Sequence, residues 1–157
     1  MKRPEIKTTA NLESAFAGES MAHIKYRYFA KISHAAGDKE TARIFEETAA
    51  QEVQHAFGHL DLLYPKETLT PARCLQMAIA GETYEYTEMY PGFLRTAQQE
   101  GNAAAISEIK EQIAESKEHA EQFQAMLHKA AKRFAALTKV EERHANQYRA
   151  ALAKVSS

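Results

Sequence analysis

Gly81-Glu82-Thr83-Tyr84-Glu85 is the stretch that decides the expected fold. It lies within residues 75–93, whose apolar spacing predicts a helix, and its two glutamates, three apart, lie on one side of that helix. Three apolar residues share that side and are expected to face a core: Ala78, Ile79 and Met89. Burying ionised carboxylates is costly unless a cation meets them. The stretch therefore predicts a cation site in a helical core, or else two glutamates on a solvated face.

Composition limits the classes of protein to which the chain can belong. The 157 residues are 45% hydrophobic and 26% charged, enough for one sizeable core, so we expect one domain. A formal net charge of -1 gives no electrostatic reason to expect nucleic acid or an anionic membrane as a partner. The single cysteine, Cys74, rules out an intramolecular disulfide and a thiolate cage for a metal. No apolar run approaches the roughly 18 residues of a membrane span, and we expect a soluble, cytoplasmic protein.

Long intervals without glycine or proline predict an all-α protein. Four helices are expected, over residues 9–35, 39–64, 71–99 and 103 to at least 127. Thr8 or Thr9 is the expected cap of the first helix. Thr70 is the expected cap of the third, with proline in its first turn, and a kink is expected at Pro91.

The two halves of the chain repeat each other. Ala17-Gly18-Glu19-Ser20 resembles Ala80-Gly81-Glu82-Thr83 at an offset of 63, and the pairs Glu52/Glu115 and His55/His119 fall at offsets of 63 and 64. The chain therefore has the sequence of a helical hairpin written twice.

The repeated residues fall at one level of the predicted bundle. Four of them lie 18 or 19 residues from the turn glycine of their own hairpin, Gly37 or Gly101: Glu19, His55, Glu82 and His119. At 1.5 Å per residue each is about 27 Å from its turn. In an antiparallel four-helix bundle that is a single level, and a single level predicts a single site.

Carboxylates and imidazoles gather at this level, and they predict a metal site. The candidate ligands are Glu19, Glu52, His55, Glu82, Glu85, Glu115 and His119. Helical bundles hold a pair of iron or manganese ions with one glutamate from each of two helices and a Glu plus a His from each of the other two. Hard oxygen donors with two imidazoles suit iron or manganese, and spacing does not separate those two metals.

At this point the sequence resembles the rubrerythrins, which are ferritin-like di-iron proteins. The resemblance covers about residues 8–126, and its most specific part is Gly81-Glu82-Thr83-Tyr84-Glu85-Tyr86-Thr87-Glu88-Met89-Tyr90-Pro91. Two other parts are Asn11-Leu12-Glu13 to Ala15-Phe16-Ala17-Gly18-Glu19-Ser20, and Glu52-Val53-Gln54-His55-Ala56. It implies one ferritin-like domain over residues 1–157, with a four-helix bundle over 1–128 and a C-terminal helical extension over 129–157.

The resemblance also implies roles for individual residues. By matching position it makes five residues iron ligands: Glu19, Glu52, His55, Glu82 and Glu85. Glu85 and His55 would exchange at one iron as the redox state changes. Tyr26 and Tyr90 fall at the family's tyrosines that hydrogen-bond ligand carboxylates, although a core tyrosine needs no such function.

The function that the resemblance implies is a peroxidase. Two iron ions, Fe2+ or Fe3+ in turn, would reduce hydrogen peroxide with Glu85 and His55 as movable ligands and Tyr26 or Tyr90 as hydrogen-bond donors. With one cysteine the chain lacks the four thiolates of the family's rubredoxin domain, so we expect an external donor such as a rubredoxin-like protein. A homodimer is expected, with or without helix exchange. The alternatives are a ferroxidase that uses dioxygen and a non-enzymatic bundle with a vestigial metal site.

The last helix departs from the family's pattern. Where the family has Glu-x-x-His, this chain has Glu115-Ser116-Lys117-Glu118-His119, with serine at the usual glutamate, and a better string match follows at Glu141 and His144. His144 lies 25 residues beyond His119, about 37 Å along one helix. We therefore expect Glu115 and His119 to bind metal, through a π-bulge, and His144 not to bind it. The rival interpretation makes residues 102–128 an inserted helix.

A second pattern supports this assignment. Thr138-Lys139-Val140-Glu141 matches a capping box, so a short final helix is expected to begin there and Glu141 to have a structural role.

Overall fold

The computed structural model describes residues 7–155 and is helical throughout apart from short turns. Five α-helices follow one another along the chain: α1 Thr8–Ala35, α2 Lys39–Leu63, α3 Pro71–Tyr84, α4 Tyr90–Glu100 and α5 Ala103–Val155. No strand occurs among these residues, which confirms the predicted all-α class. None of the described helices is long and apolar enough to cross a membrane.

The chain forms two compact units with their boundary in the sequence between Leu69 and Thr70. In the N-terminal unit α1 packs against α2. In the C-terminal unit α3 and α4 pack against α5. A single domain over residues 1–157 would require the two units to associate, and it stays a prediction. Residues 1–6, 156 and 157 lie outside the described part of the chain.

The turns that end α1 and α4 have the same construction. Gly37 has φ +81° and Gly101 has φ +67°, a left-handed conformation that costs little only for glycine. In both turns the amide after the glycine donates to a carbonyl five residues earlier, at 3.0 Å. This bonding is that of a Schellman motif, and it satisfies the last carbonyls of each helix. The internal repeat seen in the sequence therefore includes the turns.

The residue after each turn glycine begins the next helix. The Asp38 carboxylate accepts from the Thr41 amide at 3.0 Å, and the Asn102 side-chain oxygen accepts from the Ala105 amide at 3.1 Å. Aspartate and asparagine are favoured at this position because they satisfy an amide that has no partner within the helix. Each Gly-Asx pair thus ends one helix and starts the next within two residues.

Small residues form the buried seam of the N-terminal unit. Ala42, Ala49 and Ala56, spaced seven apart on α2, are at most 7% exposed, and Ala30 of α1 is 2% exposed. A seven-residue repeat keeps one face of a helix toward its partner. Larger apolar residues of α1 remain more than half exposed: Met21, Ile24, Tyr28 and Ile32. The seam therefore holds the hairpin together while an apolar stripe of α1 stays accessible in this chain.

The expected third helix consists of two α-helices joined by a π-helical turn over Glu85–Met89. The Tyr90 amide donates to the Glu85 carbonyl, five residues back, and Pro91, which has no amide hydrogen, lies in the first turn of α4. The Thr70 cap is confirmed by its bond from the Arg73 amide at 3.2 Å. The π-bulge was predicted in the last helix, and that prediction is wrong because α5 is α-helical throughout.

The last helix is also longer than expected. α5 runs for 53 residues without interruption, so the short final helix predicted to begin at Thr138 is wrong. The Thr138 hydroxyl donates to the Phe134 carbonyl at 3.1 Å, inside the helix, instead of capping an N-terminus. The cap predicted at Thr8 or Thr9 is wrong as well, because α1 already includes both threonines and the residue before it is Lys7.

The Asp38 cap gives a pH-dependent prediction. Hydrogen bonds from Thr41 hold the pKa of Asp38 below its usual value, so its stabilising effect is complete above the unfolded pKa, about 3.9, and is lost as the pH falls through the lower folded pKa. Asp38→Asn keeps an oxygen acceptor but removes the charge. We expect the wild type to be more stable than this variant at pH 7 and the difference to disappear in strong acid, measured by denaturant unfolding. A difference independent of pH would contradict the prediction.

Candidate metal centre

The N-terminal unit brings three of the predicted ligands together. Glu19 lies on α1, and Glu52 and His55 lie three apart on one face of α2. One ligand atom from each of these residues lies within 4.8 Å of the others. His55 Nδ1 is 2.9 Å from Glu52 Oε2. Two carboxylates and an imidazole at this separation form a group that could hold a metal ion.

The electrostatics of this group favour a cation. A hydrogen bond with Glu19 and another with His55 lower the pKa of Glu52. Glu19 brings a second carboxylate oxygen within 4.8 Å of the ligand atoms of Glu52 and His55. A metal ion at this point would neutralise the charge of both carboxylates.

The C-terminal unit brings a second set of ligands together. Glu82 on α3 lies beside His119 on α5, with Glu82 Oε1 3.5 Å from His119 Nδ1. The other oxygen of Glu82, Oε2, is buried and has no hydrogen-bond partner in the described part of the chain. Buried polar atoms are nearly always paired, and an exception calls for an explanation. A metal ion at Oε2 supplies one.

Glu85 contacts α5 through a serine instead of a glutamate. The Ser116 hydroxyl donates to Glu85 Oε2 at 3.0 Å, and Ser116 is only 4% exposed. Glu115, the adjacent residue, is exposed, and within residues 7–155 it has no hydrogen bond or ion pair to another ligand. Its role as a ligand therefore stays a prediction, whereas Ser116 contacts Glu85 of the π-helical turn and His119 lies beside Glu82 of α3.

The two candidate catalytic tyrosines have different surroundings. Burial raises the pKa of Tyr90, and the negative charges of Glu85 and Glu82 raise it further. Tyr90 is therefore a neutral phenol that can donate a hydrogen bond at neutral pH. The Tyr26 ring packs against Phe29 and Phe45, with centroids 6.4 and 5.9 Å away. This packing accounts for Tyr26 as a member of a partly buried aromatic cluster, and its catalytic role stays a prediction.

The donor types fit a hard metal ion. Oxygen from glutamate and nitrogen from histidine suit iron or manganese, and no thiolate takes part because Cys74 is the one cysteine and is exposed. The unpartnered oxygen of Glu82 and the two carboxylates that meet beside His55 in the N-terminal unit both call for positive charge. The residues present thus fit a hard metal ion.

The second Glu-x-x-His pair lies far along α5. Because this helix is continuous from Ala103 to Val155, His144 lies about 37 Å from His119 along its axis. His144 and Glu141 are both exposed. The expectation that His144 is not a ligand stays a prediction, and the continuous helix removes the capping role that was expected for Glu141.

Two features of the site were not predicted from the sequence. The contact of Ser116 with Glu85 could have been found from the match of Ser116-x-x-His119 to Glu-x-x-His, which places the serine at a ligand position. The π-helical turn at Glu85 could have been suspected from Pro91, because a missing amide disturbs the hydrogen bonds of the turn before it.

Comparison with known proteins gives consistent matches. The family model of rubrerythrin matches residues 10–127. Nigerythrin from Nitratidesulfovibrio vulgaris is 38% identical over 74% of this chain and 63% of its own length, and rubrerythrin from Porphyromonas gingivalis is 36% identical over 77% and 66%. The chain thus spans slightly less than two thirds of these relatives. A structure of fully reduced, all-ferrous nigerythrin is 34% identical over 83% of this chain and 70% of its own, with a TM-score of 0.40.

Two histidine variants test which end of α5 binds metal. We expect His119→Ala to lose about half of the bound iron, because His119 lies 3.5 Å from Glu82, and His144→Ala to keep all of it. Iron per chain is measured after anaerobic loading and desalting, with circular dichroism to verify the helices. Loss of iron in the His144 variant alone would contradict the assignment and favour Glu141 and His144.

Proposed function

Because the chain belongs to the rubrerythrin family, we propose that it is a non-haem di-iron peroxidase that reduces hydrogen peroxide to water. The family is one of iron-binding oxidoreductases with ferritin-like helical bundles. The proposed iron ligands are Glu19, Glu52 and His55 of the N-terminal unit and Glu82, Glu85 and His119 of the C-terminal unit. Manganese fits the same donors, and iron is the choice that family membership supports.

The observation that carries this proposal is the gathering of partly buried glutamates beside histidines. Glu82 keeps a buried oxygen without a hydrogen-bond partner among the described residues, and Glu19 and Glu52 bring carboxylate oxygens within 4.8 Å of each other and of His55. Taking ionised carboxylates out of water is costly, and a cation offsets that cost. A bundle whose metal had been lost in evolution would have no reason to keep both, which argues against the vestigial alternative.

The reaction consumes two electrons and two protons for each peroxide, H2O2 + 2 e⁻ + 2 H⁺ → 2 H2O. The proposed ligands would hold two ferrous ions, which would supply both electrons. The protein's own contribution is to hold the ions and to provide a proton donor. Tyr90 is suited to that role because burial and the charges of Glu85 and Glu82 raise its pKa and keep its O–H at neutral pH. His55, a movable ligand by resemblance, is 59% exposed, which leaves its ring room to turn.

The electrons are proposed to come from an external donor such as a rubredoxin-like protein. A rubredoxin-type iron needs four thiolates, and these 157 residues contain one cysteine. The homodimer expected from the resemblance also stays a prediction. The stripe of exposed apolar residues on α1 is the kind of surface that such an association would cover.

The choice of oxidant is the first test. We expect the anaerobic di-ferrous protein to react much faster with hydrogen peroxide than with dioxygen at equal concentration, at least about tenfold. Ferric absorbance after rapid mixing measures both rates. A faster reaction with dioxygen would favour the ferroxidase alternative, and a protein that takes up no iron would favour the non-enzymatic one.

Replacing Glu85 is the second test. Glu85→Ala is expected to fold, to keep iron through the remaining carboxylates, and to lose most peroxide turnover, at least about tenfold, because it removes a carboxylate that would change position between redox states. Glu88→Ala is the matched control, since Glu88 lies in the same π-helical turn but is exposed. Equal turnover in the wild type and the Glu85 variant would mean that Glu85 has no part in the reaction.

A further inference from the structure

Ser116 bonds differently from other serines in these helices. The hydroxyls of Ser20 and Ser33 donate to the carbonyl four residues earlier in their own helix, at 2.7 and 3.0 Å. That is the usual bond of a serine within a helix. The Ser116 hydroxyl instead donates to Glu85 Oε2, across to another segment of the C-terminal unit. The buried Ser116 hydroxyl is therefore oriented toward the Glu85 carboxylate and not toward a carbonyl of its own helix.

Glu85, which accepts the hydrogen bond from Ser116, is the residue at which the chain passes from α-helix to π-helix. It is the first residue of the π-helical turn, and such turns are frequent at functional sites. Ser116 is the one hydrogen-bond donor that the described residues offer to its side chain. The hydrogen bond from Ser116 uses Oε2 of Glu85, so Oε1 remains available to bind a metal ion. The carboxylate is therefore held at one oxygen and accessible at the other.

We propose that Ser116 is a positioning residue that holds Oε2 of Glu85 and so presents Oε1 to iron. The inference rests on the proposed function, because it concerns Glu85 as an iron ligand. A glutamate at position 116 would repel Glu85 until a cation arrived, whereas a neutral hydroxyl donates to Glu85 in the metal-free protein as well. The orientation of Glu85 is thus set by the chain before metal binds.

The bond itself is tested first, in the metal-free protein. Denaturant unfolding is measured for the wild type, Ser116→Ala, Glu85→Ala and the double variant. Because Ser116 donates to a charged group at a partly buried position, we expect the two substitutions to be coupled by about tenfold in the unfolding equilibrium constant. Additive effects would mean that the bond does not hold Glu85 and would overturn the proposal.

The positioning role is tested next by metal affinity. Anaerobic Fe(II) is titrated into each variant against a chromophoric chelator. We expect Ser116→Ala to bind one of two ions about tenfold more weakly. This is the lower end of the usual loss of metal affinity when a group that orients a ligand is removed. In the Glu85→Ala background the same substitution should have no further effect. Ser107→Ala is the matched control, because Ser107 is an exposed serine of α5.

The outcomes separate this proposal from the proposed function. A wild type that binds no Fe(II) would refute the di-iron function and, with it, the role of Ser116 toward iron. A wild type that binds two ions, with Ser116→Ala within about twofold of it, would leave the di-iron function standing and overturn the positioning role alone. An equal loss in Ser116→Ala with and without Glu85 would also overturn it, because the effect would not pass through Glu85.

Discussion

Negative charge held partly out of water is the constraint on which this structure depends. Glu52 and Glu82 have side chains only 14% and 23% exposed, and neither is matched by a lysine or arginine within hydrogen-bonding distance in the described residues. Taking such groups out of water costs free energy, and a cation beside them would offset that cost. Under the proposed function, part of the folding free energy would therefore be supplied by the bound metal.

The rest of each unit keeps these glutamates in place. Left-handed glycines and Asx caps fix where each helix starts, and the alanine seam of α2 lets α1 approach closely, so Glu19 and Glu52 come within reach of one metal ion. In the C-terminal unit Ala97 and Ala120 are buried in the same way. Alanine contributes little apolar area per residue. The buried alanines thus allow the helix backbones to approach closely, but the core of each unit buries little hydrophobic surface.

Much of this arrangement could be predicted from the sequence, because it follows from local rules. Glycine and proline mark the helix ends, and the three-residue spacing of Glu52 and His55 places them on one face. The length of α5 could not be read in this way. Thr138 and Glu141 match a capping box, but a capping pattern has an effect only where amides lack partners, and inside a continuous helix the threonine donates to Phe134 instead. Ser116 departs from the family's pattern in the sequence, but its partner, Glu85, follows only from the packing of α5 beside the π-helical turn.

The π-helical turn at Glu85–Met89 amounts to one extra residue in an otherwise regular helix. In a regular α-helix one added residue would rotate the following chain by about 100° around the helix axis. The i→i+5 bond of the π-helical turn takes up that residue within one wider turn, so α3 and α4 both pack against α5. The sequence positions that face α5, Glu82 before the turn and the buried Ala97 after it, are counted in registers that differ by one residue. Alignments across this turn should accordingly treat a single-residue gap as a π-helical turn gained or lost within one helix and not as a loop insertion.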